Sequence, residues 1–458
     1  MRRLFYFDAL QLWRDRLAAG VLLAGVLACA IAVVSGMAWQ RHLAQEYVSL
    51  QEEARSEYAK QRVQWAKAPE RSPLGQLFLP MLGRSTIALP LASLPDFTRG
   101  RSGMEPTGAR VRLNVRPDNL FARYQLENPE SLTRGSMDLG WVALVIAPLL
   151  LIGLGYGVFT NDRDSGTARL WLAQAGTPLK LLAVRSINRL ALVVAPLLLA
   201  AGILWCSGPP GRCADIGLWL ATMMLALLVW WAVILLVNSF RIEAETAALL
   251  LVGLWTLQVF AAPTVIAAYT AWLHPLPSRF AATSAARSAE LQATRQWEKE
   301  HPELSLQGAD AAFASYPSRR GWVFQYTEVR KQIAAALAPF ERETQKQRAA
   351  QLRLGQWLAL LSPSLMASNT LAEIAQTDFA AYSAQRQAAI AWLVARNTLL
   401  TDIIINDRPI NAEQFDAIPR FDPAPLPAPS LSGPCWLLLY AVALGAVALW
   451  RLRRVRPL

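Results

Sequence analysis

The chain has 458 residues, of which 54% are hydrophobic and only 17% charged, with 17 Trp and a positive mean hydropathy, and this composition excludes an ordinary soluble protein. Its formal charge of +12 does not mark a nucleic-acid surface: 14 of the 45 basic residues fall in four short segments beside apolar runs, and the remainder of the chain is close to charge balance. The charge is topological.

Residues 4–16, LFYFDALQLWRDR, mix Leu4, Phe5, Phe7, Leu10, Leu12 and Trp13 with Asp8, Arg14, Asp15 and Arg16. This pattern predicts a helix lying in a membrane interface, with a plain extension of the first span as the alternative. Arg2, Arg3 and the small-residue step Ala28-Cys29-Ala30 imitate a cleavable signal, but the apolar run continues to Trp39, so the segment reads as a retained first span.

Six apolar runs of about 20 residues can cross a hydrocarbon core of about 30 Å. They cover 18–39, 139–160, 187–206, 216–238, 246–272 and 431–450. Pro148, Pro196 and Pro263 lie inside three of them, which requires neighbouring helices to satisfy the carbonyls that each proline leaves free. The predicted fold class is therefore membrane all-α, with six packed spans and two large, mainly helical extracytoplasmic insertions at 40–138 and 273–430.

Orientation follows from Lys and Arg. The segments 1–17, 161–186 with Arg189, 239–245 and 451–458 share one side if there are six spans, and the positive-inside rule makes that side cytoplasmic, with both termini inside. Trp39, Trp141, Trp205, Trp272 and Trp436 then fall at outer span ends and Trp450 at an inner one, as an interfacial aromatic belt requires.

Within the first insertion, 40–68 has helical periodicity with mixed charge and predicts a stalk continuing the first span; beyond Pro69, loops and at most a few strands are expected up to RVRLNVRP. In the second, 281–300, 323–361, 364–375 and 378–400 read as helices, and FDPAPLPAPS at 421–430 as an extended linker. Cys206 and Cys213 bracket a short outer loop and are the candidate disulfide, provided that SGPPGR brings their Cα atoms within bonding range.

Catalytic chemistry is sparse. With three His, no HExxH, no CxxC and no GxxxxGK[ST], the chain offers no metal, cofactor or catalytic residues and no phosphate loop of its own. The spans also lack the internal charges that ion-coupled carriers use. What stands out is the polar segment 161–189, NDRDSGTARLWLAQAGTPLKLLAVRSINR, held between two spans.

That segment, with an interfacial helix, a first span and a large outer insertion before it, resembles the ABC-2-type permease family. The resemblance rests on Asp162, Arg163, Asp164, Gly166 and Thr167, then Arg169, Leu170, Leu172, Thr177 and Pro178, and Arg185 where many members have Lys. His274-Pro275-Leu276-Pro277-Ser278-Arg279 and Ser362-Pro363-Ser364, with Leu371, Thr377-Asp378 and Phe379, are similar to the bacterial subgroup with a domain of unknown function between the last two spans. The resemblance implies an inner-membrane permease half that pairs with itself or a related chain and docks cytoplasmic ATPase subunits, which bind the ATP. A short helix exposing Arg163 and Arg169 and anchored by Leu170, Trp171 and Leu172 would be the docking element, with Glu243 and Glu245 as a second contact or simply solvated loop charges. A membrane scaffold that transmits motion to periplasmic partners is the alternative to a conduit.

Overall fold

The computed structural model describes residues 2–67, 84–112, 115, 120–121, 137–160, 178–240, 242–300, 316–405 and 412–454. These are largely helical, and the described residues contain a single two-stranded sheet. Among the described residues five helices are long and apolar enough to cross a membrane, and Leu139–Gly155 is a shorter apolar helix.

Helix α1 (Arg2–Arg14) ends at Asp15, whose carboxylate accepts from the Leu17 backbone N–H at 3.0 Å and starts α2 (Arg16–Lys67). At 52 residues α2 is about 78 Å long, far more than a bilayer needs, and its second half is one unbroken helix over the 40–67 stretch expected as a stalk. Strands β1 (Ser85–Ala88) and β2 (Gly108–Val111) pair antiparallel, with Ser85 opposite Val111. They lie on the stalk, tied by Arg110 to Glu53 at 2.8 Å and by Gln61 to the Arg84 carbonyl at 2.8 Å.

The bundle continues with α3 (Leu139–Gly155), α4 (Pro178–Ser207), α5 (Cys213–Asn238) and α6 (Ala244–Leu273). Two of these helices are not regular. A wide π turn at Val142–Ile146 precedes Pro148, and another at Leu257–Ala261 precedes Pro263. Neighbours bond to carbonyls of both turns: Ser362 Oγ donates at 3.4 Å to the Gln258 carbonyl, which Pro263 leaves free, and Trp255 Nε1 donates at 3.1 Å to the Val145 carbonyl near the one that Pro148 leaves free. Pro196, by contrast, lies inside α4 without ending it.

The second insertion holds α7 (Arg279–Glu300) and α8 (Tyr316–Ala359), which pack side by side, then α9 (Pro363–Ile374), α10 (Phe379–Ile405) and α11 (Ala412–Asp416) before α12 (Ser432–Arg454). Ser362 caps α9 by accepting from Leu365 N–H at 3.3 Å, and Asp378 caps α10 through the Ala380 and Ala381 N–H groups. Helix α9 packs on α5 and α12, so part of this insertion belongs to the bundle.

A stretch of the first insertion does the same. Leu94 and Phe97 are fully buried in the main core, Phe97 meets Trp219 edge-on at 5.2 Å, and Trp219 Nε1 donates to Thr98 Oγ1 at 3.0 Å. A Cβ at Gly36 would sit 2.3 Å from the Asp96 carbonyl oxygen, so only glycine lets α2 approach this segment. The two insertions are joined directly by Leu94 N–H to the Ala375 carbonyl at 3.2 Å and Arg101 N–H to the Thr377 carbonyl at 2.9 Å.

The candidate disulfide is not formed. Cys206 and Cys213 are exposed free thiols, and the loop between them is organised instead around Arg212, whose guanidinium donates to the Leu204 and Pro209 carbonyls and pairs with Asp96 at 2.7 Å. Cys29 is buried in α2, and Cys435 is exposed.

Candidate functional site

The segment between α3 and α4 carries most of the residues singled out in the sequence. Asp162, Arg163, Asp164, Gly166, Thr167, Arg169, Leu170 and Thr177 lie outside the described residues. Pro178 opens α4, where its missing N–H costs nothing, and Arg185 is two turns inside that helix rather than at the exit of a loop.

Around that segment the described residues form a polar junction. Helix α3 unwinds after Gly155, and its freed carbonyls are met by side chains of the next two helices. Arg189 Nε donates to the Leu154 carbonyl at 3.0 Å, Asn238 Nδ2 to the Gly155 carbonyl at 3.0 Å, and Arg185 Nη1 to the Val158 carbonyl at 2.6 Å. Buried carbonyls without water must find such donors, and here they tie the end of α3 to α4 and α5.

Asp8 completes the junction from α1. Its buried carboxylate lies 3.7 Å from Arg185 and 3.6 Å from Arg189 and accepts from Asn188 Nδ2 at 2.7 Å. Asn188 also donates to the Phe5 carbonyl at 3.3 Å. Phe5, Tyr6, Phe7 and Trp13 of the same helix are exposed. The role of Asp8 was hidden in the sequence among other charges of an amphipathic helix; only the pairing across 177 residues of chain reveals it.

The last turns of α12 lie at the same end as α1, because Arg451 Nε donates to Ser239 Oγ at 3.2 Å and its guanidinium stacks over Phe240 at 3.9 Å. Glu243 is the N-cap residue of α6 and Glu245 lies in its first turn. Both are exposed there, where the helix dipole favours negative charge without requiring a partner.

At the opposite end, a cleft of about 420 Å³ opens between α3, α6 and α9. Leu144, Val145, Gln258, Val259 and Phe260 from both π turns line it, with Ser364 and Ser368 of α9 and Asp138 at its rim. Asp138 is committed: its carboxylate accepts from Trp141 N–H at 2.7 Å and Arg99 N–H at 2.8 Å. Gln258 Oε1 is buried without a hydrogen-bond partner among the described residues. Wide turns of this type recur at functional sites, and two of them on one cleft mark it out.

Further out, the stalk is latched to the end of the second insertion. Arg62 holds Asp416 through both carboxylate oxygens at 3.1 Å, Tyr58 donates its hydroxyl to Asp416, and the Arg420 guanidinium lies 4.1 Å from the Tyr58 ring. Hydrogen bonds from Arg62, then Tyr58, hold the Asp416 carboxyl below its usual value. A carboxyl depressed in the folded state stabilises above its unfolded pKa of about 3.9 and loses that contribution as pH falls through the folded value. The latch is expected to open below about pH 4, read as increased hydrogen exchange in α11 at acid pH that Asp416→Asn reproduces at pH 7.

Residues 266–424 match a family described as a domain of unknown function, DUF3526. The match runs from the outer part of α6 through α7 to α11 and into the Pro-rich segment, and so takes in α9 of the cleft and Asp416 of the latch. No curated protein and no solved structure matches the chain.

Proposed function

We propose that this protein is the membrane subunit of an ATP-driven transport assembly, working with separate ATPase subunits that dock on the segment between α3 and α4. The supporting observation is the polar junction: Arg185, Arg189 and Asn238 hold the unwound end of α3 against α4 and α5 on both sides of that segment. A push on residues 161–177 would reach all three helices at once. On this reading α3 is a sixth span, the termini and the junction face the cytoplasm, the insertions face outward, and two such subunits pair in the bacterial inner membrane. The junction supplies no phosphate loop, so ATP is bound by the partner.

A second reading has its own support. Helix α2 runs unbroken from the bundle into a stalk latched at Asp416, which suits transmission of motion to a periplasmic partner without a conduit. Arg163→Glu combined with Arg169→Glu is expected to leave membrane insertion intact while lowering stimulation of the co-purified ATPase at least tenfold. Unchanged ATPase binding and activity would sink the docking assignment; retained ATPase coupling without substrate movement in vesicles would favour the second reading.

A further inference from the structure

Beside the cleft stands a cluster of four arginines drawn from four separate elements. Arg279 opens α7, Arg348 lies in α8, Arg386 in α10, and Arg101 in the loop that directly follows Gly100 of the cleft wall. Contacts bring these elements together: Gln351, one turn from Arg348, donates to the His274 carbonyl at 2.6 Å, five residues before Arg279, and α8 packs on α10. Arg101 lies 5.3 Å over the ring of Phe379, the first residue of α10, and Arg386 lies 5.7 Å from the Phe121 ring.

Guanidinium groups stay charged at any physiological pH, so the cluster repels itself. Burial and then Arg386, Arg279 and Arg101 push the Arg348 pKa below its usual value, with Glu105 acting in the opposite sense. Glu105 is already engaged by Arg101 at 3.3 Å, and among the described residues Arg279, Arg348 and Arg386 form no ion pair with a carboxylate. The positive-inside rule offers no reason for such a cluster at the end opposite the termini.

We propose that the cleft and the arginine cluster form one binding site for a net-anionic phospholipid-like amphiphile, with its apolar chain between the two π turns and its phosphate among Arg101, Arg279, Arg348 and Arg386. Bidentate guanidinium contacts suit phosphate, and the mixed walls of the cleft, apolar with Ser364, Ser368 and Gln258, suit the glycerol end of a chain. The site does not depend on an ATPase partner, so it stands or falls separately from the transport reading.

The test uses the purified full-length protein in an uncharged detergent, titrated with dioleoyl phosphatidylglycerol, dioleoyl phosphatidylcholine or inorganic phosphate and read by native mass spectrometry. The protein is expected to retain phosphatidylglycerol at least tenfold better than phosphatidylcholine. Arg348→Gln with Arg386→Gln should abolish the preference, and the corresponding Lys pair should restore part of it. Exposed Arg279→Gln, which leaves the fold untouched, should weaken the preference about threefold. Ser368→Trp, filling the cleft, should reduce retention of both lipids. Equal retention of the two lipids, a preference unaltered by Arg279→Gln, or phosphate binding without lipid retention would each overturn the proposal.

Discussion

Arg212→Met is expected to destabilise the protein by about 3–5 kcal/mol, the usual cost of leaving one member of a buried ion pair behind. Arg212 and Asp96 are 2.7 Å apart with side chains 6% and 0% exposed. Burial already pushes the Asp96 carboxyl above its usual value against the pull of Arg212. Without the guanidinium the carboxyl must protonate or drag its loop out of the core, taking Phe97 and Leu94 with it. A carboxyl whose folded pKa is raised stabilises below its unfolded pKa and loses that contribution as pH rises toward the folded value. Thermal melts of Arg212→Met in detergent should therefore be higher near pH 4 than near pH 8. Adding Asp96→Leu should recover much of the loss, since no charge is then stranded; equal melts for the single and double variants would refute the pairing.

The same region shows where sequence reading stops. Helices whose faces follow local periodicity were legible: 40–68 as a stalk, 364–375 as α9 and 378–400 as the body of α10 agree with the structure to within a few residues, except that α10 runs on to Ile405. Residues 93–98 were not, because SLPDFT carries turn chemistry and its burial depends on Trp219 and Leu371, more than a hundred residues away. Pro148 and Pro263 announced disturbed helices and outside donors, but not that the disturbance would be a π turn nor that both would open on one cleft. The cysteines misled for a related reason: spacing brought Cys206 and Cys213 close in sequence, while the turn that joins them is built around Arg212.

Asp8→Asn and Arg185→Met are expected to impair the protein unequally, and the inequality tests whether the junction acts as a unit. Asp8→Asn keeps the shape of the side chain and its contact with Asn188 but removes a charge that Arg185 and Arg189 share. A loss of about 2–3 kcal/mol is expected, near the lower end for a broken buried pair because two cations keep their carbonyl partners. Arg185→Met removes the ion pair and also uncovers the Val158 carbonyl at the unwound end of α3, adding about 1–3 kcal/mol for a buried acceptor left unmade. Because both variants break the same pair, their combination should cost less than the sum by about 1–2 kcal/mol in melts of the detergent-solubilised protein. Strict additivity would mean that α1 and α4 touch without coupling. If the junction transmits force, Arg185→Met should also lower ATPase stimulation more than a cleft variant of equal melting temperature, because it frees α3 from α4 at the point where a docked partner would push.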